Sequence, residues 1–150
     1  MLIMKYVDIS EKGGPEVLKI KEMPVPVPKK NQVLIKVEAC GINRPDILQR
    51  MGLYPPPIGA PLYPGLEVAG SIVSLGKNVS NFNVGEEVCA LLSGGGYAEY
   101  CVVSNEQVLP IPKGLTMVEA AGIPETFFTV WSNIFDIGKL KNNEKVLIHG

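Results

Sequence analysis

The chain has 150 residues and a net charge of −1, enough for one ordinary domain with a sizeable core and too balanced for a nucleic-acid or anionic-membrane partner. Its three cysteines, Cys40, Cys89 and Cys101, are odd in number and too scattered for a disulfide framework or a Cys-x-x-Cys metal cluster, so free buried thiols in a reducing, cytoplasmic setting are expected. Met1-Leu2-Ile3-Met4 is too short for the apolar stretch of a signal peptide and no apolar run is long enough to span a bilayer, which predicts a soluble protein.

Residues 2–9 read as a first strand, Gly13-Gly14-Pro15 as a turn and Val17-Leu18-Lys19-Ile20-Lys21 as a second strand of alternating sidedness. Pro24-Val25-Pro26-Val27-Pro28 forbids both helix and central strand, because proline lacks an N–H and fixes φ, and so predicts a stiff extended connector. Val33, Ile35, Val37 and Ala39 then alternate with Gln32, Leu34, Lys36 and Glu38, the period-2 signature of a strand with one face on a core. Gly41 frees the backbone to leave the sheet. Pro45 suits the first turn of a short helix, on which Asp46 and Arg50 have the four-residue spacing of a weak surface pair.

Residues 52–61, Gly-Leu-Tyr-Pro-Pro-Pro-Ile-Gly-Ala-Pro, cannot be regular structure and predict a proline-stiffened loop, of the kind that often lines sites. Tyr54 in it either packs under its own prolines or offers its phenol to a ligand. Residues 68–75 read as a strand, 77–88 as a long turn, and Val88–Leu92 as the returning strand. Gly94-Gly95-Gly96 exposes consecutive N–H groups, as phosphate loops do, but it precedes a strand at Tyr97–Val103 instead of opening a helix and lacks a Lys-Ser/Thr ending.

Thr116-Met117-Val118-Glu119 has the capping-box form and predicts a helix from Met117 to about Gly122. Pro124 then opens a second helix, whose apolar stripe of Phe127, Trp131, Ile134 and Phe135 has the spacing that burial in a core requires, before Gly138 stops it. Lys145-Val146-Leu147-Ile148-His149-Gly150 reads as a further strand. His149, the lone imidazole, is read as a packing position, not a base.

Two motifs, Ala39-Cys40-Gly41-Ile42-Asn43-Arg44-Pro45-Asp46 and Pro64-Gly65-Leu66-Glu67, carry a resemblance to the medium-chain dehydrogenase/reductase superfamily, and within it to the zinc-free quinone oxidoreductases that include zeta-crystallin. The resemblance covers essentially the whole chain and includes the Val-x-x-Phe-x-x-Gly-Glu pattern at Val79, Phe82, Gly85 and Glu86. It implies a mainly β fold with short helices: a GroES-like barrel over residues 1–122, lacking strands that relatives return from their C-terminal part, then the truncated start of a Rossmann domain over 123–150. Zinc alcohol dehydrogenases carry a metal-binding Cys where this chain has Asn43, and read Gly-His-Glu where it has Gly65-Leu66-Glu67. An amide and an isobutyl group are not zinc ligands, so a metal-free pocket is expected.

The resemblance further implies NADPH as cofactor and a quinone or similar conjugated carbonyl as substrate. It puts Asn43 and Thr129 beside the nicotinamide, Gly150 at the edge of the glycine-rich turn that holds the pyrophosphate, and Tyr54 in reach of the substrate oxygen. Loss of the pyrophosphate cradle removes two or three charge-assisted bonds of about 1.5–3 kcal/mol each, which should weaken dinucleotide binding about a thousandfold or more. The intact protein is expected to be a homodimer, and the 150-residue chain to be inactive and monomeric or irregularly associated. A related enoyl reductase and a non-enzymatic GroES-like interaction module are the alternatives.

Overall fold

Alternation of apolar and polar residues, rich in β-branched side chains, makes strands the main regular structure of the chain. In the computed structural model, which describes residues 2–149, these are β1 (Ile3–Ile9), β2 (Leu18–Pro24), β3 (Gln32–Cys40), β4 (Glu67–Leu75), β5 (Glu87–Leu91), β6 (Tyr100–Ser104) and β7 (Val108–Pro110). The helices are α1 (Arg44–Arg50), α2 (Met117–Ala120) and α3 (Pro124–Val130), the last running on through π-helical turns at Trp131–Ile137. Pro24 closes β2, residues 25–28 carry no regular structure, and residues 52–61 are a turn-rich loop.

β1 and β2 make an antiparallel ribbon, and the other strands form one antiparallel sheet in the order β6-β3-β4-β5-β7. The ribbon is tied to the sheet ahead of β6, where Val7 N–H donates to the Tyr97 carbonyl at 2.8 Å and Glu99 N–H to that of Lys5 at 3.0 Å. Tyr97–Glu99 therefore pairs with β1, and the expected strand starts later, at Tyr100. Register shifts at Leu34/Ile35 and Val37/Ala39 bend β3, as bulges do, and let the sheet curl.

The inner face of the curl holds the core. Val33, Ile35, Val68, Ile72, Val88, Ala90, Cys101 and Val103 pack there, with Val79 and Phe82 of the long turn folded onto them. Phe82 thus anchors its turn. On the outer face, small residues let α2 lie close: Ala120 and Ala121 meet Ala69 and Cys89. Its capping box is formed, with Thr116 Oγ1 accepting from Glu119 N–H and the Glu119 carboxylate accepting from Thr116 N–H at 2.8 Å.

Five further expectations are corrected. The stripe on α3 and its extension is not core: Phe127 is 63% and Trp131 60% exposed, because no described element forms a second layer over it. Trp131 and Phe135 instead pack on each other at 5.1 Å. Residues 145–149 form no strand, since no neighbouring strand supplies their hydrogen bonds, and His149 is exposed, not packed. Cys40 is exposed while Cys89 and Cys101 are buried. Asp46 and Arg50 are not a surface pair: Asp46 is buried, and Arg50 Nε donates to the Gly13 carbonyl at 3.1 Å. Gly150 lies outside the described residues.

Candidate active site

Where β3 leaves the sheet at Gly41, the chain turns into α1 and brings Asn43 and Asp46 opposite the start of β4. Asp46 is 4% and Glu67 2% exposed, a costly placement for two carboxyl groups unless each oxygen finds donors. Each does. Asp46 Oδ1 accepts from Gly65 N–H at 2.9 Å, and Oδ2 from Asn43 N–H at 2.9 Å and the Tyr97 hydroxyl at 3.1 Å. Glu67 Oε1 accepts from Asn43 Nδ2 and Oε2 from Glu125 N–H in the first turn of α3, both at 2.9 Å.

Two glycines make this possible. Gly65 sits at φ +108°, open only to glycine at little cost, with the backbone of Gly96 and Tyr97 against it. A Cβ on Gly41 would fall 2.1 Å from Glu67 Oε1, so glycine leaves the carboxylate its place. The triplet 94–96 serves the same wall: Gly95 N–H donates to Tyr63, Gly96 N–H to Gly65 and Tyr97 N–H to Pro64. Those donors are spent on the protein, which agrees with a structural turn and not with a phosphate loop.

Burial and the two carboxyl groups shift the ionisation of three neighbouring groups. Burial, then the Asp46 carboxylate, pushes the Tyr97 phenol well above its ordinary range, so it remains a donor. Partial loss of water, with Asp46 and Glu67 nearby, raises the Cys40 thiol and makes it a poor nucleophile. Burial, then Glu67 and Asp46, raises the Glu125 carboxyl. Beside the network a cleft of about 530 Å3 is walled by Tyr6, Val7, Val37, Ala39, Ile42 and Tyr97.

Of the residues singled out from the sequence, Asn43 stands in the network, half-buried at the N-cap of α1. Tyr54 lies past the other end of that seven-residue helix, 41% exposed and not on the wall of this cleft. Thr129 is exposed on α3, its carbonyl accepting from Asn133 Nδ2 at 2.8 Å. Asp46, Tyr97 and the joining role of Glu67 were not foreseen. One signal was present: an acid three residues after an N-cap Asn is half of a reciprocal cap.

Among the described residues, no group of three or more His, Cys, Asp or Glu side chains is placed to hold a metal ion. Both oxygens of Glu67 are already engaged, and Asn43 and Leu66 supply no ligand. No described helix is long and apolar enough to cross a membrane.

Residues 29–113, more than half of the chain, match the alcohol dehydrogenase GroES-like domain. The chain belongs to that family. Its relatives are medium-chain dehydrogenases/reductases: a quinone oxidoreductase from Lama guanicoe is 40% identical over 99% of this chain and 46% of its own length. The solved quinone oxidoreductase of Coxiella burnetii superposes with a TM-score of 0.83 at 28% identity, over 95% of this chain and 47% of that one. The CurK enoyl reductase superposes at 0.84 and 32% identity, over 92% and 44%. This GroES-like domain protein thus spans about half the length of the curated relatives it matches. Its mainly β fold with short helices is the one they share.

Proposed function

We propose that the chain forms the catalytic part of a cytoplasmic, homodimeric, NADPH-dependent reductase of quinones or similar conjugated carbonyls that works without zinc. In this reading residues 1–122 are the catalytic domain and 123–150 begin the nucleotide-binding domain. The observation that carries it is the donor set: Asn43 and Leu66 stand where metal-dependent relatives carry ligands, and the remaining carboxylate, Glu67, has both oxygens engaged.

Asn43 and Thr129 would hold the nicotinamide, with Gly150 at the edge of the pyrophosphate site. Their chemistry fits, since an amide and a hydroxyl match a carboxamide. NADPH, when bound, supplies the hydride. Asn43 orients the ring from its place over α1. Tyr54, with its phenol exposed on a proline-stiffened loop, donates a hydrogen bond to the substrate oxygen as negative charge develops there. Tyr97, tied to Asp46, is scaffold.

Steady-state kinetics of a full-length Tyr54→Phe variant with a benzoquinone should show kcat down about tenfold or more. Unchanged kcat would reduce Tyr54 to packing, and stoichiometric zinc in the purified protein would overturn the metal-free reading. The likeness to an enoyl reductase favours one second reading, reduction of a thioester-activated double bond, which a substrate panel separates from the first.

A further inference from the structure

Glu67 is a buried carboxylate with two partners from different parts of the chain: the Asn43 side chain at one oxygen and the first turn of α3 at the other. A carboxylate only accepts, whereas an amide carries a donor and an acceptor at opposite corners. The Asn43 amide must therefore turn Nδ2 towards Glu67. Its Oδ1 is left over the start of α1, where it faces the Asp46 N–H as the other half of the reciprocal cap, a donor it shares with the main-chain carbonyl of Asn43 at 3.1 Å; an amide oxygen carries two lone pairs, so Oδ1 keeps acceptor capacity for a ligand.

We propose that Glu67 is a positioning residue that makes Asn43 present a carbonyl oxygen, so that the site selects a ligand bearing an N–H or O–H donor, and that it couples this choice to the seating of α3. The inference deepens the functional reading above and rests on it for the ligand, which is the carboxamide N–H of a nicotinamide. The coupling follows from the bonds themselves. Glu125 N–H belongs to the backbone and cannot turn away, and Pro124 ahead of it has no N–H to share the role. The carboxylate serves as the cap that α3 does not make for itself.

Glu67→Gln keeps size and removes one acceptor. Its single oxygen cannot serve both Glu125 N–H and Asn43 Nδ2, so Asn43 either turns over or is released. When Asn43→Asp is combined with Glu67→Gln, the carboxylate introduced at position 43 accepts through one oxygen from the amide introduced at position 67. Its other oxygen stays an acceptor for the ligand.

The test has two arms. In 15N-labelled protein, nuclear Overhauser contacts should join the Asn43 side-chain amide protons to the γ-protons of residue 67, and Glu67→Gln should lose them while circular dichroism shows the fold retained. Contacts that persist unchanged in Glu67→Gln would overturn the proposal. In the full-length protein, fluorescence titration should show NADPH binding about tenfold more tightly than its 3-acetylpyridine analogue, which lacks the amide N–H. Glu67→Gln should bring that ratio to about one, and the double variant should restore it, a rescue that a purely structural role would not tie to the ligand's N–H. A ratio unmoved by Glu67→Gln would overturn the proposal. No NADPH binding by the full-length protein would refute the functional reading instead, and the amide's orientation would still stand or fall on the first arm.

Discussion

β3 and the helix that begins at Pro124 carry comparably clear apolar patterns and meet opposite fates. Val33 and Ile35 are fully buried, while Phe127 and Trp131 keep well over half of their surface. The difference is not in the side chains. β3 lies between β4 and β6 and has α2 across the outer face of the sheet. The extended α3 touches the rest of the described chain chiefly at its first turn, through Pro124 and the bond from Glu125 N–H to Glu67. Periodicity says which face can be buried; burial needs a second layer to bury it against.

That contrast sets the largest expected effect. Ile35→Ala should cost about 2–5 kcal/mol, read as a lower urea midpoint at unchanged slope, because it empties a closed site. Phe127→Ala should stay within about 0.5 kcal/mol. Equal costs would mean that the face on α3 is covered in solution and would erase the distinction.

The buried network sharpens the same comparison from the polar side. Asp46→Asn keeps the shape but leaves the side chain with one acceptor oxygen for donors that arrive at both corners. Leaving a buried N–H unpaired should cost about 1–3 kcal/mol, again by urea unfolding. A change below about 0.5 kcal/mol would mean that water reaches the site and that the network adds little.

Alkaline titration probes the barrel alone. Burial pushes the Cys101 thiol from 9.0 up to about 12, so the folded state holds its proton after the unfolded state has lost it. The stability this contributes is complete below pH 9 and is lost as pH rises towards 12, at up to about 1.4 kcal/mol per pH unit. Cys101→Ala should flatten the decline between pH 9 and 10.5, and an unaltered decline would show that the sulfur is hydrated in solution.

The smallest effect belongs at the seam between the two regions. The Glu125 carboxyl is raised by burial and by Glu67 and Asp46, so its ionised form is disfavoured on folding and the associated stability is lost as pH rises through its titration. Glu125→Gln should therefore stabilise the protein at pH 7, by less than about 1 kcal/mol because water screens a part-exposed group. The gain should vanish below the ordinary carboxylate range. A gain that persists there would point to packing instead of charge.

The strands β1 to β6, the proline connector and the capping box at Thr116 were legible in the sequence, because each rests on residues a few positions apart. Asp46 was misread, since its four-residue spacing from Arg50 is a local signal and its true partners include Gly65 and Tyr97, 19 and 51 residues away. Glu67 was legible as a motif residue but not as the joint between Asn43 and α3, for its second partner lies 58 residues further on. Sequence by itself determined which residues could form strands, turns and caps, since dihedral preference and apolar period act over a few residues. Only the tertiary structure decided which carboxylates met which donors and which apolar face found a second layer, because burial and hydrogen bonding across the sheet are set by neighbours that the local chain does not contain.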